Sequence, residues 1–472
     1  MRNRDGKAGT VIIILALIIL LAAVPWYFLI AGNLESGGFN LFGPRETTPS
    51  EEEPELPYEE PDEPEEPEPT PEPEEEPDHI FTLPNEDTII DIRTFEPEIF
   101  RELAALASGI NSVAVSIALY DGDTGEYYTY EHGQADVEAR RPVNESTKFR
   151  VASLAKLTTV ICAMALVDDG LIDLDTDISI YLGYEVQNTT HPGTSITTRM
   201  LMQHTSSIFD SGAFQVSRDR NTSESVRFLL ERGSSFRRNE PGTNFEYSNF
   251  GYAVLGAICE NVSGKTLDAL SREILFEPLS IDAAYVPENL HDTENIAVIY
   301  NENHSVTRSV QSQLAITESG ILGEDLHLAQ GNLTISAIDY ARILTMLGNG
   351  GVLNGVRILS NEAVREMHET DVEGEGYSQG LGTRFSSGGF IPGEGFYWHS
   401  GSGYGLLAQY LYSDALANNR GVVVIVTGAV SSREPNGMVS ICNELSRIAW
   451  NIWDIVDGVA DDETGEDDDD ND

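Results

Sequence analysis

The stretch Phe149-Arg150-Val151-Ala152-Ser153-Leu154-Ala155-Lys156, continuing through Leu157-Thr158-Thr159-Val160-Ile161-Cys162-Ala163-Met164-Ala165-Leu166, organises the chain. Leu154, Leu157, Ile161 and Ala165 recur at helical spacing, and Asp168-Asp169-Gly170 supplies a C-terminal glycine, so the pattern predicts one helix. Ser153 falls at its start, and Lys156 sits three residues on, one turn away on the same side. A serine there has main-chain N–H groups and a positive dipole end beside it, and a lysine within reach can take or steer its proton. The chain has only four lysines (Lys7, Lys148, Lys156, Lys265), so one inside an apolar helix is not part of a general basic surface. Taken alone, Ser-x-x-Lys equally describes a capping serine with a surface lysine. Its company decides between them.

The 472 residues suffice for one large domain or two ordinary ones with appendages. Net charge is −50, unevenly spread. Residues 44–79 hold 17 acidic residues against one arginine, and residues 457–472 hold 10 with no basic residue. About half of the excess stays on the body at 80–456. A body that acidic repels nucleic acid and anionic lipid surfaces, which excludes both as partners. Scarce lysine among abundant acids suits a salty or alkaline exterior, and ordinary acidic drift accounts for it equally. Cys162, Cys259 and Cys442 each lie in an apolar run and read as small buried hydrophobes, with no disulfide framework. The nine histidines have no metal-ligand spacing, so no metal or cofactor is expected.

Arg2, Arg4 and Lys7 precede an unbroken apolar run from Val11 to Ile30. That length crosses a bilayer, and the flanking positive charge keeps residues 1–10 in the cytoplasm. Residues 11–31 therefore read as a single-pass signal anchor, with a cleaved signal peptide as the competing reading. Everything downstream is then extracytoplasmic. Residues 44–79 interleave eleven prolines with their acids and read as an extended, disordered stalk. At roughly 3.1 Å per residue it reaches on the order of 110 Å. Residues 457–472 read as an acidic, disordered tail.

Within the body, Phe95–Leu106 reads as an amphipathic helix. Ser112–Tyr120 alternates as a strand, and Glu126–Glu131 returns after a turn at residues 121–125. Helices are expected at Val226–Glu231, Ala253–Asn261, Leu267–Leu275, Ala337–Leu347 and Gly437–Trp453. Strands are expected at Phe396–Ser400, Leu406–Tyr412 and Gly421–Val426. Strands at both ends and helices between them imply an α/β (α+β) fold. It would have an antiparallel sheet with helices on both faces and an inserted, mostly helical subdomain.

Two further pieces complete a pattern. Tyr247-Ser248-Asn249 follows the turn Asn239-Glu240-Pro241-Gly242, and His399-Ser400-Gly401 ends a strand. Singly, Tyr247 reads as a core-edge tyrosine and His399 as a satisfied strand-end histidine. In order, with Ser153-x-x-Lys156, they resemble the serine β-lactamase and penicillin-binding superfamily, in its class C β-lactamase and D,D-peptidase branch. Residues 166–175, 196–206, Glu277-Pro278-Leu279 and 353–360 resemble further landmarks of that family, so the likeness runs from about Ser112 to Trp453. Two positions depart from it. Ser207 stands where the family usually has glycine, and Gln330-Gly331-Asn332 replaces a usual Gly-Gly.

The resemblance implies that Ser153, Lys156 and Tyr247 are catalytic. Ser153 would be acylated, with Lys156 and Tyr247 sharing its proton. Asn249, His399, Ser400, Gly401 and Ser402 would bind substrate, and the main-chain N–H groups of Ser153 and Ser402 would form the oxyanion hole. It also implies the transpeptidase-like fold. The anchor and stalk point to extracytoplasmic cell-wall peptide with D-amino-acid linkages, peptidoglycan being one source. His399 in place of a lysine carries charge only when protonated, which favours a peptidase or esterase over a dedicated β-lactamase. A peptide or β-lactam-like small molecule is thus the expected partner. A non-catalytic wall-binding or β-lactam-sensing protein is the rival of a different class.

Overall fold

The computed structural model describes residues 87–215, 225–388, 395–414, 418–430 and 432–458. The anchor at 11–31, the stalk at 44–79, the start of the 80–456 body and the tail beyond Gly458 lie outside the described residues. Among the described residues, no helix is long and apolar enough to cross a membrane.

One sheet collects strands from both ends of the body. The N-terminal part supplies β1 (Thr88–Asp91), β2 (Ala114–Asp121) and β3 (Glu126–Asp136). The C-terminal part supplies β4 (Val372–Glu373), β5 (Ser378–Gln379), β6 (Arg384–Ser387), β7 (Gly395–Gly403), β8 (Leu406–Tyr412) and β9 (Arg420–Thr427). Their order is β1-β3-β2-β9-β8-β7-β6-β5-β4, with Arg141–Pro142 beside β3 as a tenth strand. Ile117 of β2 pairs with Val424 of β9, which joins the two ends of the chain. Pairing is antiparallel except at one edge, where β1 runs parallel to β3.

Each central strand is buried on both faces, and its period of two divides it between two cores. Val115, Ile117 and Leu119 of β2 face one core, packed with α1 (Pro97–Gly109) and the C-terminal helix through Leu103, Cys442 and Leu445. Ala114, Ala118 and Tyr120 face the other. That second core also holds α2 (Ala155–Asp168), α3 (Asn249–Ser263) and α4 (Ala337–Gly348). Residues between β3 and β4 are mostly helices and loops, as the inserted subdomain requires.

Five helices differ from the periodicity reading: α3 starts at Asn249, four residues early, the helix expected at Leu267–Leu275 passes into a π turn at Arg272–Phe276, and three more differ as follows. Pro97 sets the start of α1, with the Glu96 carboxylate accepting from the Glu98 N–H at 3.0 Å. The C-terminal helix, α5, begins at Ser440, because Gly437 (φ +92°) closes a turn onto Glu434; a separate short helix follows at Ile452–Val456. Ser153 sits in a 3₁₀ turn, Ala152–Leu154, one step before α2. Nor has α2 a polar face: Lys156, Thr158 and Thr159 are as buried as its leucines. Both threonine hydroxyls lie within hydrogen-bond distance of the Ala155 carbonyl and of the Tyr285 hydroxyl, so their polarity is satisfied inside the core.

Candidate active site

The loop entering α2 is held by the Val151 N–H, which donates to the Leu333 carbonyl at 2.9 Å. Ala152 then takes a left-handed conformation (φ +51°), unusual for a side chain with a Cβ. The half-buried Ser153 follows it. Strand β7 runs alongside. Its pairing with β6 stops at Trp398, whereas β8 stays paired through Gly403, so His399–Gly403 has a strand partner on one edge alone. Four of those five residues line a cavity of about 1060 Å³ that also contains Ser153, Tyr247 and Asn249. Gly401 is required by proximity. A Cβ there would lie 2.5 Å from the Val151 carbonyl oxygen and 3.3 Å from the Ser153 nitrogen.

Lys156 is fully buried and donates three times: to Ser153 Oγ (3.3 Å), Asn249 Oδ1 (2.9 Å) and the Gln330 carbonyl (2.5 Å). Its Nζ lies 5.0 Å from the centre of the Tyr247 ring and 5.3 Å from that of Tyr252. Asn249 is fixed from behind, because its Nδ2 donates to Asp210 at 2.7 Å. The other Asp210 oxygen accepts from the Phe250 N–H at 2.9 Å and from Ser248 Oγ at 3.3 Å. Ser248 meanwhile caps α3 by accepting from the Gly251 N–H. Only one amide orientation lets Asn249 accept from a lysine and donate to a carboxylate at once.

His204 stacks 4.4 Å from Tyr247, and its Nδ1 accepts from the Ser248 N–H, so its proton is on Nε2. Burial, then Lys156 and Arg384, hold its pKa well below the ordinary histidine value. His399 behaves likewise. Burial and then Arg384, Lys156 and His204 depress it far below the usual range, so it is neutral at physiological pH. Its Nδ1 faces the Ser400 carbonyl at 2.8 Å, which places the proton there and leaves Nε2 as an acceptor. Permanent charge comes instead from two arginines. Arg384 is 8% exposed, stands over the rings of Tyr377 (4.5 Å) and Trp398 (5.0 Å), and has an Nε without a hydrogen-bond partner. Arg433 donates to Ser400 Oγ (3.0 Å) and the Gly437 carbonyl (2.6 Å), and burial and then Arg384 lower its pKa. Among the described residues, four arginines and one carboxylate, Glu375, line the cavity.

The structure brings Ser153, Tyr247, Asn249 and His399-Ser400-Gly401-Ser402 to this one cavity, Gly401 as the close contact beneath it and Ser402 exposed within it, with Lys156 buried behind Ser153 and Asn249. Sequence reasoning missed Asp210, His204, Arg384 and Arg433. Only His204 lay in a motif, and it was read as a landmark. The two departures also have definite places. Ser207 is left-handed (φ +64°), a conformation glycine adopts without strain. Gln330 contributes its carbonyl to Lys156, a main-chain role its side chain does not alter. Among the described residues, no three His, Cys, Asp or Glu side chains are placed to hold a metal.

A profile of the β-lactamase family matches residues 100–438. Penicillin-binding protein 4 of Amycolatopsis lactamdurans is 28% identical over 242 residues, which is 48% of this chain and 58% of that protein. Esterase EstB of Burkholderia gladioli is 30% identical over 207 residues, 40% of this chain and 50% of the relative. The matches thus span little more than half the length of these relatives. Among solved structures, the octameric penicillin-binding protein homologue from Pyrococcus abyssi superposes with a TM-score of 0.60 at 22% identity, covering 77% of each chain. The class C β-lactamase from Rhodobacter sphaeroides gives 0.57 at 18% identity, covering 76% of this chain and 99% of that one. At such identities these two likenesses establish the fold.

Proposed function

This chain belongs to the β-lactamase family of serine hydrolases, and we propose that it cleaves cell-wall peptides ending in D-amino acids through an acyl-enzyme on Ser153. Ser153 Oγ adds to the scissile carbonyl carbon. Lys156 spends its three donors on Ser153 Oγ, Asn249 Oδ1 and the Gln330 carbonyl, so the base role falls to Tyr247, which enters as the phenolate, takes the serine proton and becomes the neutral phenol. Tyr247 then returns it to the leaving amine as the C–N bond breaks, and water hydrolyses the resulting ester by the reverse route. The Ser153 and Ser402 N–H groups receive the oxyanion. Asn249, held by Asp210, keeps Lys156 in place.

Arg384 carries this reading. A buried guanidinium without an ion pair among the described residues, 5.9 Å from the Tyr247 ring, suits a carboxylate on the leaving group, which a peptide C-terminus supplies and a simple ester lacks. A β-lactam presents a similar carboxylate and would acylate the same serine. A carboxylesterase is the second reading, favoured by the likeness to the Burkholderia esterase. Residues 11–31 and 44–79 extend the proposal to a catalytic domain held outside the cell membrane on a stalk.

Intact-protein and peptide mass spectrometry after exposure to a fluorescent penicillin tests the assignment. The expected adduct is on Ser153, and Arg384→Gln is expected to slow its formation about tenfold or more. An adduct on another residue, or none with several such probes and a fluorophosphonate, removes the enzyme reading and leaves a binding role.

A further inference from the structure

Strand β7 crosses the nucleophile, and arginines stand at both of its ends. Gly401 abuts Ser153, His399 lies two residues earlier, and Tyr404 follows three residues later, roughly 10 Å along the chain. The Tyr247 ring lies 6.2 Å from the His399 ring, so the proton relay stands on the His399 side. A leaving group that collects its proton from Tyr247 therefore departs on that side, toward Arg384. The acyl part must extend the other way, toward Tyr404.

That other end is built. Tyr404 is left-handed (φ +59°), 41% exposed, and its carbonyl accepts from Thr307 Oγ1. The next residue, Gly405 (φ +97°), has no room for a Cβ, which would fall 2.2 Å from the Tyr300 carbonyl oxygen. The Tyr404 ring carries the Arg308 guanidinium at 3.5 Å and that of Arg150 at 5.0 Å. Arg150 Nε also donates to the Gly331 carbonyl, next to the nucleophile turn. Arg308 gives one hydrogen bond, to the Thr307 carbonyl, and no ion pair among the described residues, so most of its donor fork is open to the cavity. The one lining carboxylate among the described residues, Glu375, neighbours Tyr377 at the opposite, Arg384 end.

We propose that Tyr404, Arg308 and Arg150 form an acyl-side subsite for a carboxylate about 10 Å from the scissile carbonyl. The preferred substrate is then anionic on both sides of the bond that breaks. This deepens the peptide reading above and rests on it. A guanidinium stacked on an aromatic ring, as that of Arg308 is, keeps its in-plane N–H groups for bidentate contact with a carboxylate, which a neutral acyl chain cannot exploit. In a chain of net charge −50, a cationic cavity also collects anions that the rest of the surface repels.

The test uses the full chain with Ser153→Ala, so that binding is read without turnover. N-glutaryl-D-alanyl-D-alanine and its glutaramoyl counterpart, in which the acyl carboxylate is an uncharged amide, are titrated by calorimetry. The charged peptide is expected to bind about 10- to 100-fold tighter. The ratio should shrink at high salt and fall towards one when Arg308→Gln is added. Equal affinity of the two peptides for the Ser153→Ala protein overturns the subsite. So does a preference that survives Arg308→Gln. Turnover of both peptides by wild type at equal kcat/KM overturns the subsite while leaving the peptidase standing. If neither peptide binds or is turned over, both the subsite and the peptidase reading fall.

Discussion

Replacing Gly401 by alanine tests whether β7 and the nucleophile turn act as one unit. The new methyl would sit 2.5 Å from the Val151 carbonyl oxygen, 3.0 Å from Leu154 Cδ1 and 3.3 Å from the Ser153 nitrogen. Ordinary contact begins near 3.4 Å, so strand and turn must part by about 0.9 Å. Two of the three clashing atoms are main chain, and no side-chain rotation relieves them. Overpacking of this kind costs about 1–3 kcal/mol of stability. The kinetic loss should be larger, because one N–H of the proposed oxyanion hole, from Ser153 or Ser402, lies on each side of the gap. A donor moved by most of an ångström is expected to cost about 10²–10³ in kcat. Gly403→Ala is the control, since its Cβ would meet only Ala152 Cβ at an ordinary 3.8 Å. Turnover of a small activated ester and the denaturant midpoint are measured on both variants. A Gly401→Ala enzyme within about threefold of wild-type kcat would refute the geometry, whatever its stability.

Tyr247→Phe keeps the ring against His204 and removes only the hydroxyl; stability should change by about 1 kcal/mol or less while kcat falls by about 10²–10⁴. Near-wild-type turnover would return the base role to Lys156. Asp210→Asn breaks the carboxylate contacts to Asn249, Ser248 and Phe250 at the start of α3, and should cost about 1–3 kcal/mol and lower kcat without raising KM. An unchanged kcat would show that Asn249 needs no such support. Glu131, away from the site, has its pKa pushed up to about 8 by burial, then by Glu145 and Asp91. The folded chain then holds a proton that the unfolded chain has lost, so Glu131 stabilises fully below its unfolded pKa and loses that contribution as pH rises through about 8. Unfolding free energy should decline across that range with a slope of up to about 1.4 kcal/mol per pH unit from this group, and Glu131→Gln should flatten it. An unchanged slope in denaturant titrations at pH 6.5 to 8 would show that Glu131 is already ionised in the fold.

Local order made much of the fold legible. Large apolar residues alternating with smaller ones marked β2 and an apolar run marked β9, both strands being buried on both faces, and a C-terminal glycine marked a helix end that needs no tertiary partner, as at Gly170. Ser153 and Lys156 declared their closeness through helical spacing, since a turn of helix is a local object. The parallel edge strand β1 carried no such signal. Four residues without a distinctive pattern become a strand only when β3 offers them a hydrogen-bonding edge.

Charge in the site belonged to tertiary structure alone. Asp210 lies 39 positions from Asn249, and Arg384 stands 15 positions before His399 with no motif around it. Their roles come from desolvation and distance, which no spacing encodes. His399 shows the division most clearly. The sequence by itself determined that a histidine, with a switchable charge, would follow β7's tryptophan into the cavity. Only the fold decided that the switch is held off, because burial and the neighbouring cations Arg384 and Lys156 make a further positive charge there unfavourable.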